Sequence, residues 1–189
     1  METINMKLTG VSPLLMHSDR FANPLDPLTK AHKELTGKKK KTDEDHEAIA
    51  LSEWRGSLYF DKTLGPYIPG QNIEAVITCG AKLQKLGTKF KQGFMVKEDK
   101  VKLEYVGPRI VEALQNDVRF IDMRSVKVQQ ARLQRCRPIF AEWSLSFTIL
   151  FNPEVIEKRD VLKAIDDAGM LIGLGDYRPR FGKFEAQEV

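Results

Sequence analysis

Two cysteines, Cys79 and Cys136, are all the thiol this chain carries, and neither stands in a Cys-x-x-Cys or Cys/His pattern. That leaves no framework for disulfides and no spacing for a thiolate zinc site, and it makes the reducing cytoplasm the expected compartment. The histidines number 3 and fall in no metal-ligand spacing, so neither a metal nor a cofactor is expected. No apolar run approaches the roughly 18 residues of a membrane span. The opening Met1-Glu2-Thr3-Ile4 lacks the basic flank and apolar core of an export signal. Neither export nor a membrane partner is expected.

Charge of one sign is also scarce overall, with 30 Lys/Arg against 26 Asp/Glu and a net +4 in 189 residues. Its distribution is uneven. Residues 1–56 hold nine basic and nine acidic side chains, 57–118 nine and seven, 119–137 six and one, and 138–189 six and nine. The third segment, with Arg119, Arg124, Lys127, Arg132, Arg135 and Arg137 opposed only by Asp122, supplies the whole excess. A local concentration of cations is the footprint of a polyanion partner, and arginine is the better phosphate fork. The competing reading is a solvated sheet edge guarded by charge against aggregation.

Hydrophobic periodicity gives the frame. Ile4, Met6 and Leu8 alternate with polar residues as a half-buried first strand ending near Gly10–Pro13. The pattern then degrades from about 17 to 65 into prolines, the run Lys38–Lys41, and a helix capped by Thr42 and reaching about Trp54, which together read as an insertion. Gln71–Lys85 has helical spacing, with Gly80 and Ala81 small enough to let a sheet approach. Phe94–Val96 and Val101–Leu103 look like a hairpin, and Arg109–Gln115 like a short helix. Phe120–Val128 and Ala131–Arg137 flank Gln129-Gln130 as two arms of a basic hairpin, followed by the alternating strand Trp143–Phe151. A helical stripe from Val161 to Ile172 leads to a closing strand from Phe181 to about Glu188. Without the insertion and the small central elements, the order is strand, helix, strand, strand, helix, strand, with the basic segment in the central strand pair. This is an α+β, ferredoxin-like (RRM-like) split β-α-β arrangement with an antiparallel sheet, expected as one domain over residues 1–189.

Between the last helix and strand lies Gly173-Leu-Gly-Asp-Tyr-Arg-Pro-Arg-Phe-Gly-Lys-Phe184. Gly173, Gly175 and Gly182 permit positive φ and close backbone approach. Arg178, Arg180 and Lys183 offer phosphate contacts, and Tyr177 or Phe181 a stacking face. A tight turn with solvated arginines, or arginines bridged to Asp176, is the alternative.

Three features resemble the repeat-associated mysterious protein (RAMP) superfamily, and among it the backbone subunits that coat guide RNA in CRISPR effector complexes. The first strand runs into a long insertion. Tyr67-Ile68-Pro69-Gly70-Gln71-Asn72-Ile73 looks like the family's Ile-Pro-Gly-Ser-Ser-Leu start of its first helix, although Glu74 and Ala75 stand where the family has Lys-Gly. The glycine-rich turn occupies the family's characteristic place. Met16-His17-Ser18-Asp19 and Arg137-Pro138-Ile139-Phe140 also resemble short phage and prophage proteins. The resemblance implies single-stranded RNA as the partner, with single-stranded DNA the other candidate, and self-association along the strand.

Catalysis has less behind it. His17, Ser18 and Asp19 are neighbours along the chain, where a Ser/His/Asp triad does not assemble. The alternative is that Asp19 or Asp26 binds a divalent ion or positions a ribose 2′-hydroxyl for strand cleavage, as a loop aspartate does in some RAMP backbone subunits, with His17 as general base. An aspartate between prolines, as in Asn23-Pro24-Leu25-Asp26-Pro27, is also ordinary turn chemistry. A phage protein-interaction or assembly factor is the third function class.

Overall fold

The computed structural model describes residues 1–128 and 131–189, apart from the side chains of Lys127, Val128 and Ala131. The turn expected at Gln129-Gln130 therefore lies outside the described residues. The chain is α+β, with antiparallel sheets. Strand β1 (Glu2–Gly10) buries Ile4, Met6 and Leu8 and exposes the residues between, as its alternation requires.

The larger sheet has seven strands. Besides β1 it contains β3 (Phe60–Asp61), β4 (Gly65–Pro69), β5 (Phe94–Val96), β6 (Lys100–Glu104), β9 (Ser144–Phe151) and β10 (Phe184–Glu188). Their order is β10-β1-β9-β6-β4-β3, with β5 also beside β9. In β1, Met6 stands opposite Phe147 on one side and Glu188 on the other. Helices α3 (Gly70–Leu83) and α6 (Lys158–Asp167, continued by a wider turn at Ala168–Ile172) pack against each other. Their Ile73, Val76, Ile77, Val161 and Ile165 join Ile4, Met6, Phe147 and Ile149 in one core. An ideal Cβ on Gly80 would lie 2.2 Å from the Ala164 carbonyl oxygen. The expected close approach is thus between helices and not between helix and sheet.

The expected Phe94–Leu103 hairpin does not form. Strands β5 and β6 instead follow one another along β9, Val96 opposite Ile149 and Leu103 opposite Leu145. The Glu98 carboxylate accepts from Thr148 N at 2.9 Å, and Lys97 N donates to Thr148 O at 2.9 Å. A side chain thereby fills a ladder position while the backbone bulges away.

The insertion holds two α-helices after a short 3-10 turn at Asp19–Ala22. Only α2 (Asp43–Ser57) was legible in advance, and its Thr42–Asp45 capping box is formed on both sides. Helix α1 (Pro27–Gly37) starts with Asp26 as N-cap, whose Oδ1 accepts from Leu28 N and Thr29 N, with Pro27 in the first turn.

The basic hairpin stands outside the larger sheet. Strands β7 (Ile121–Val128) and β8 (Ala131–Phe140) pair antiparallel and, with β2 (Leu14–Leu15), make a second sheet of order β2-β8-β7. This corrects its expected place in the central strand pair. One edge of β9 is taken by β1, and the other by β5 and β6. The hairpin instead packs on α2, where Trp54 Nε1 donates to Phe120 O at 2.8 Å. Buried Glu53 also accepts from Arg135 Nη1 at 2.6 Å and from Cys136 N at 3.0 Å.

Candidate nucleic-acid interface

The glycine-rich loop is built first by its own backbone. Asp176 N donates to Leu15 O and Gly182 N to Pro13 O, fastening the loop to β2 and to the connection that precedes it. A Cβ on Gly175 would come 2.4 Å from Leu15 O, and one on Gly182 1.7 Å from Leu174 O, both at positive φ. These glycines are required by close packing within the chain itself. The amides of Gly173 and Gly182 likewise bond to Ala168 O and Pro13 O, so neither is offered to a ligand. Gly173 is buried and Gly175 half-buried.

Four of the six cations in the basic segment have intramolecular carboxylate partners. Arg119 forks onto Asp117, and Arg124 onto Asp122. Arg135 reaches Glu53, and the buried Arg137 brings Nη1 to 2.7 Å from Asp176 Oδ2. That last contact is one of charge: Asp176 Oδ2 and Arg137 Nε are both buried without a hydrogen bond. Arg132 is exposed, and the Lys127 side chain lies outside the described residues. The segment is therefore less cationic towards solvent than its composition implied.

What the structure brings together is the hairpin and the loop. The Arg124 guanidinium lies 5.3 Å from the Tyr177 ring centroid and 4.4 Å from that of Phe181. With Arg137–Asp176, this makes the hairpin and the loop one continuous face. Asp176 is bridged by the hairpin and not by the loop's own arginines, which leaves Arg178 and Arg180 exposed. Tyr177 is 45% exposed, whereas Phe181 is 8% and Phe184 3% exposed. Tyr177 can stack on a base, and the two phenylalanines pack. Lys183 is half-buried, its amide donating to Ser12 Oγ.

Beside this face opens a cleft of about 240 Å³, lined among others by His17, Tyr59, Asn72, Gly175 and Arg178. Asn72 Nδ2 donates to the Tyr59 hydroxyl at 3.2 Å, and His17 Nδ1 lies 3.2 Å from Ser57 Oγ. Desolvation, then the Arg137 charge, lowers the His17 pKa from 6.5, so its imidazole is neutral at pH 7. A neighbouring cleft of about 230 Å³ holds Asp19 and Asp26 and shares Tyr59 as its wall. One oxygen of Asp26 is already engaged as the α1 cap. Composition did not reveal Tyr59 and Asn72, because a tyrosine before one strand and an asparagine in a helix's first turn meet only after folding. Lys38, the first of the four-lysine run, pairs with Asp45, and Lys41 Nζ donates to Lys38 O.

Among known proteins, no family model matches the chain and no curated protein matches it. The face must therefore be read from its own chemistry. No helix among the described residues is long and apolar enough to cross a membrane. Nor do three His, Cys, Asp or Glu side chains gather there where they could hold a metal ion.

Proposed function

We propose that this chain binds single-stranded RNA through its backbone, along the face where the glycine-rich loop meets the β7–β8 hairpin. The observation that carries the reading is that junction. Arg124 stacked over Tyr177 and Phe181 fixes the loop against the hairpin, while Arg178, Arg180 and Arg132 stay exposed on the two sides. Exposed guanidinium groups supply phosphate contacts, Tyr177 a stacking surface, and the His17–Asn72 cleft room for a nucleotide. Binding of this kind is electrostatic and indifferent to sequence. The strand order β10-β1-β9-β6, with α3 and α6 as crossovers, supports a ferredoxin-like core. In that reading the RAMP-like features describe an RNA-coating subunit able to line up along a strand.

The test begins with protein recovered from cells, its absorbance ratio, and the sequence of any nucleic acid carried with it. Labelled single-stranded RNA and DNA are then titrated at several salt concentrations. Replacing Arg178 and Arg180 together by alanine should reduce the slope of log affinity against log salt by about 1.4, at about 0.7 per phosphate contact on a single strand. Nucleic-acid-free protein with no affinity for either strand at low salt overturns the reading.

A second reading, cleavage of the bound strand, is favoured by one observation: Asp19 and Asp26 share a cleft that has Tyr59 as a common wall with the His17 cleft. Asp19→Ala should then abolish cleavage of labelled RNA and leave binding intact. Asp26→Ser, which keeps a helix-capping oxygen, separates chemistry from capping. Wild-type protein that binds RNA and leaves it whole removes this second reading alone.

A further inference from the structure

Between Glu74 and Glu98 the chain has 23 residues without an aspartate or glutamate, and in them five lysines: Lys82, Lys85, Lys89, Lys91 and Lys97. All five are exposed. Among the described residues, lysine ion pairs fall on Lys38, Lys100, Lys102, Lys158 and Lys163, and on none of these five. The contrast with the arginine segment is direct: there carboxylates pair with four of six cations, and here, among the described residues, none of the five lysines has a carboxylate partner. Such crowding repels and adds nothing to stability.

The fold gathers three of them. Helix α3 ends where Lys85 takes φ 62° and Leu86 N donates back to Ala81 O, and α4 (Gly87–Gly93) follows at once. A Cβ on Gly87 would stand 2.5 Å from Lys82 Cγ, so the lysine stem lies along the bare glycine. Lys82, Lys85 and Lys91, with Gly87 and Thr88, line a hollow of about 260 Å³. Asp167 lies towards this end of α3 but is engaged by Gln84 Nε2 at 2.9 Å and by Lys163 Nζ.

This hollow is connected to the candidate face. Ala75 is exposed on α3, next to Asn72 and Val76 in the His17 cleft, and Thr78, Cys79 and Lys82 continue along the same side of the helix. From Ala75 to Lys82 is seven residues, about 10 Å of helix. We propose that the lysine hollow is a second phosphodiester-binding site, and that RNA leaving the cleft runs along α3 to Lys82, Lys85 and Lys91. The inference rests on the RNA-binding reading and extends it to a surface at the far end of that helix. Lysine suits a contact of this kind, a mobile point charge following a backbone without reading bases.

The experiment compares wild type with a Lys82→Gln, Lys85→Gln, Lys91→Gln triple variant in salt titrations of a long single-stranded RNA. A Lys→Arg triple serves as the charge-preserving control, and thermal melting checks the fold of each. The salt slope should fall by about 2 in the glutamine variant and stay unchanged in the arginine variant. Saturating RNA should protect the three lysines of the wild type from amine acylation. Wild-type protein that binds RNA, with an unaltered slope in the triple variant and unprotected lysines, overturns the second site and leaves the first reading standing. Failure of wild type to bind any RNA removes both. Vesicles containing phosphatidylserine are the remaining arm: binding to them that is lost in the glutamine variant, with RNA affinity unmoved, assigns the lysines to an anionic membrane surface and overturns the proposal.

Discussion

Glu53 carries more of the structure than its exposed neighbours on α2. It is 4% exposed, and its two carboxylate oxygens accept from the Arg135 guanidinium and the Cys136 amide, tying the insertion to β8. Removing one partner from such a pair strands the others in low dielectric. Because Arg135 keeps a third of its side chain in water, it can rehydrate in part, and Glu53→Ala should cost about 2 kcal/mol in urea unfolding. The thiol beside it gives a second readout. Burial first, then the Glu53 and Asp122 charges, push the Cys136 pKa up to about 11, so at pH 8 the wild type should react with maleimide at the half-buried Cys79 first. Glu53→Ala should accelerate labelling of Cys136, read by peptide mass spectrometry. Unchanged stability together with unchanged labelling would show that Glu53 does not hold the strand. Composition hid this role, since an acid on a helix otherwise rich in acids gives no sign that it is the buried one.

At the scale of elements, local rules anticipated whatever local chemistry determines. β1 and β9 came from alternation, α2 from the Thr42 cap, α3 and α6 from their apolar stripes. α1 was missed because Asn23-Pro24-Leu25-Asp26-Pro27 reads equally as a turn, and only the capping bonds of Asp26 reveal a helix start. The hairpin expected at Phe94–Leu103 failed because both arms found a better partner in β9, a choice made at long range. Gly80 illustrates both sides of this: its small size was legible, but the element it faces was not. At the α3–α6 crossing its missing Cβ leaves room only for the Ala164 carbonyl and Ala168. Gly80→Ala gains helix propensity of about 1 kcal/mol but forces the helices apart. Gly80→Val adds bulk without that gain, and should lower stability by about 2–3 kcal/mol relative to Gly80→Ala, measured as a shift in urea midpoint at unchanged m. Equal stabilities for the two variants would mean that the crossing is looser than the structure has it.

For the molecule as a whole, segment averages misjudged the electrostatics in both directions. They marked the arginine hairpin, most of whose charges are tied to Asp117, Asp122, Glu53 and Asp176, and passed over the acid-free lysine stretch, diluted within residues 57–118. Charge reaching solvent depends on which carboxylates fold beside it, and that is a tertiary property. The same holds for the two sheets, which the sequence order alone merged into one. They nonetheless share a single hydrophobic cluster, running from Ile4 and Phe147 through Leu14 and Leu58 to Trp54, Phe120 and Phe140. A continuous core predicts that both sheets unfold in one cooperative transition. The two tryptophans are placed to test it. Trp54 lies against the hairpin, bonded to Phe120 O, whereas Trp143 lies beside Phe184 with its Nε1 donating to Ser12 O at 2.9 Å. Trp143→Phe leaves fluorescence reporting the second sheet, and Trp54→Phe leaves it reporting the first. Within each variant, the fluorescence midpoint in urea should coincide with that of far-ultraviolet circular dichroism, even though loss of the Trp54 hydrogen bond lowers the second variant's midpoint by about 1 kcal/mol of stability. Fluorescence preceding circular dichroism in Trp143→Phe alone would mean that the insertion and its hairpin open as a separate unit. The candidate face, which spans that junction, would then exist only when both units are closed.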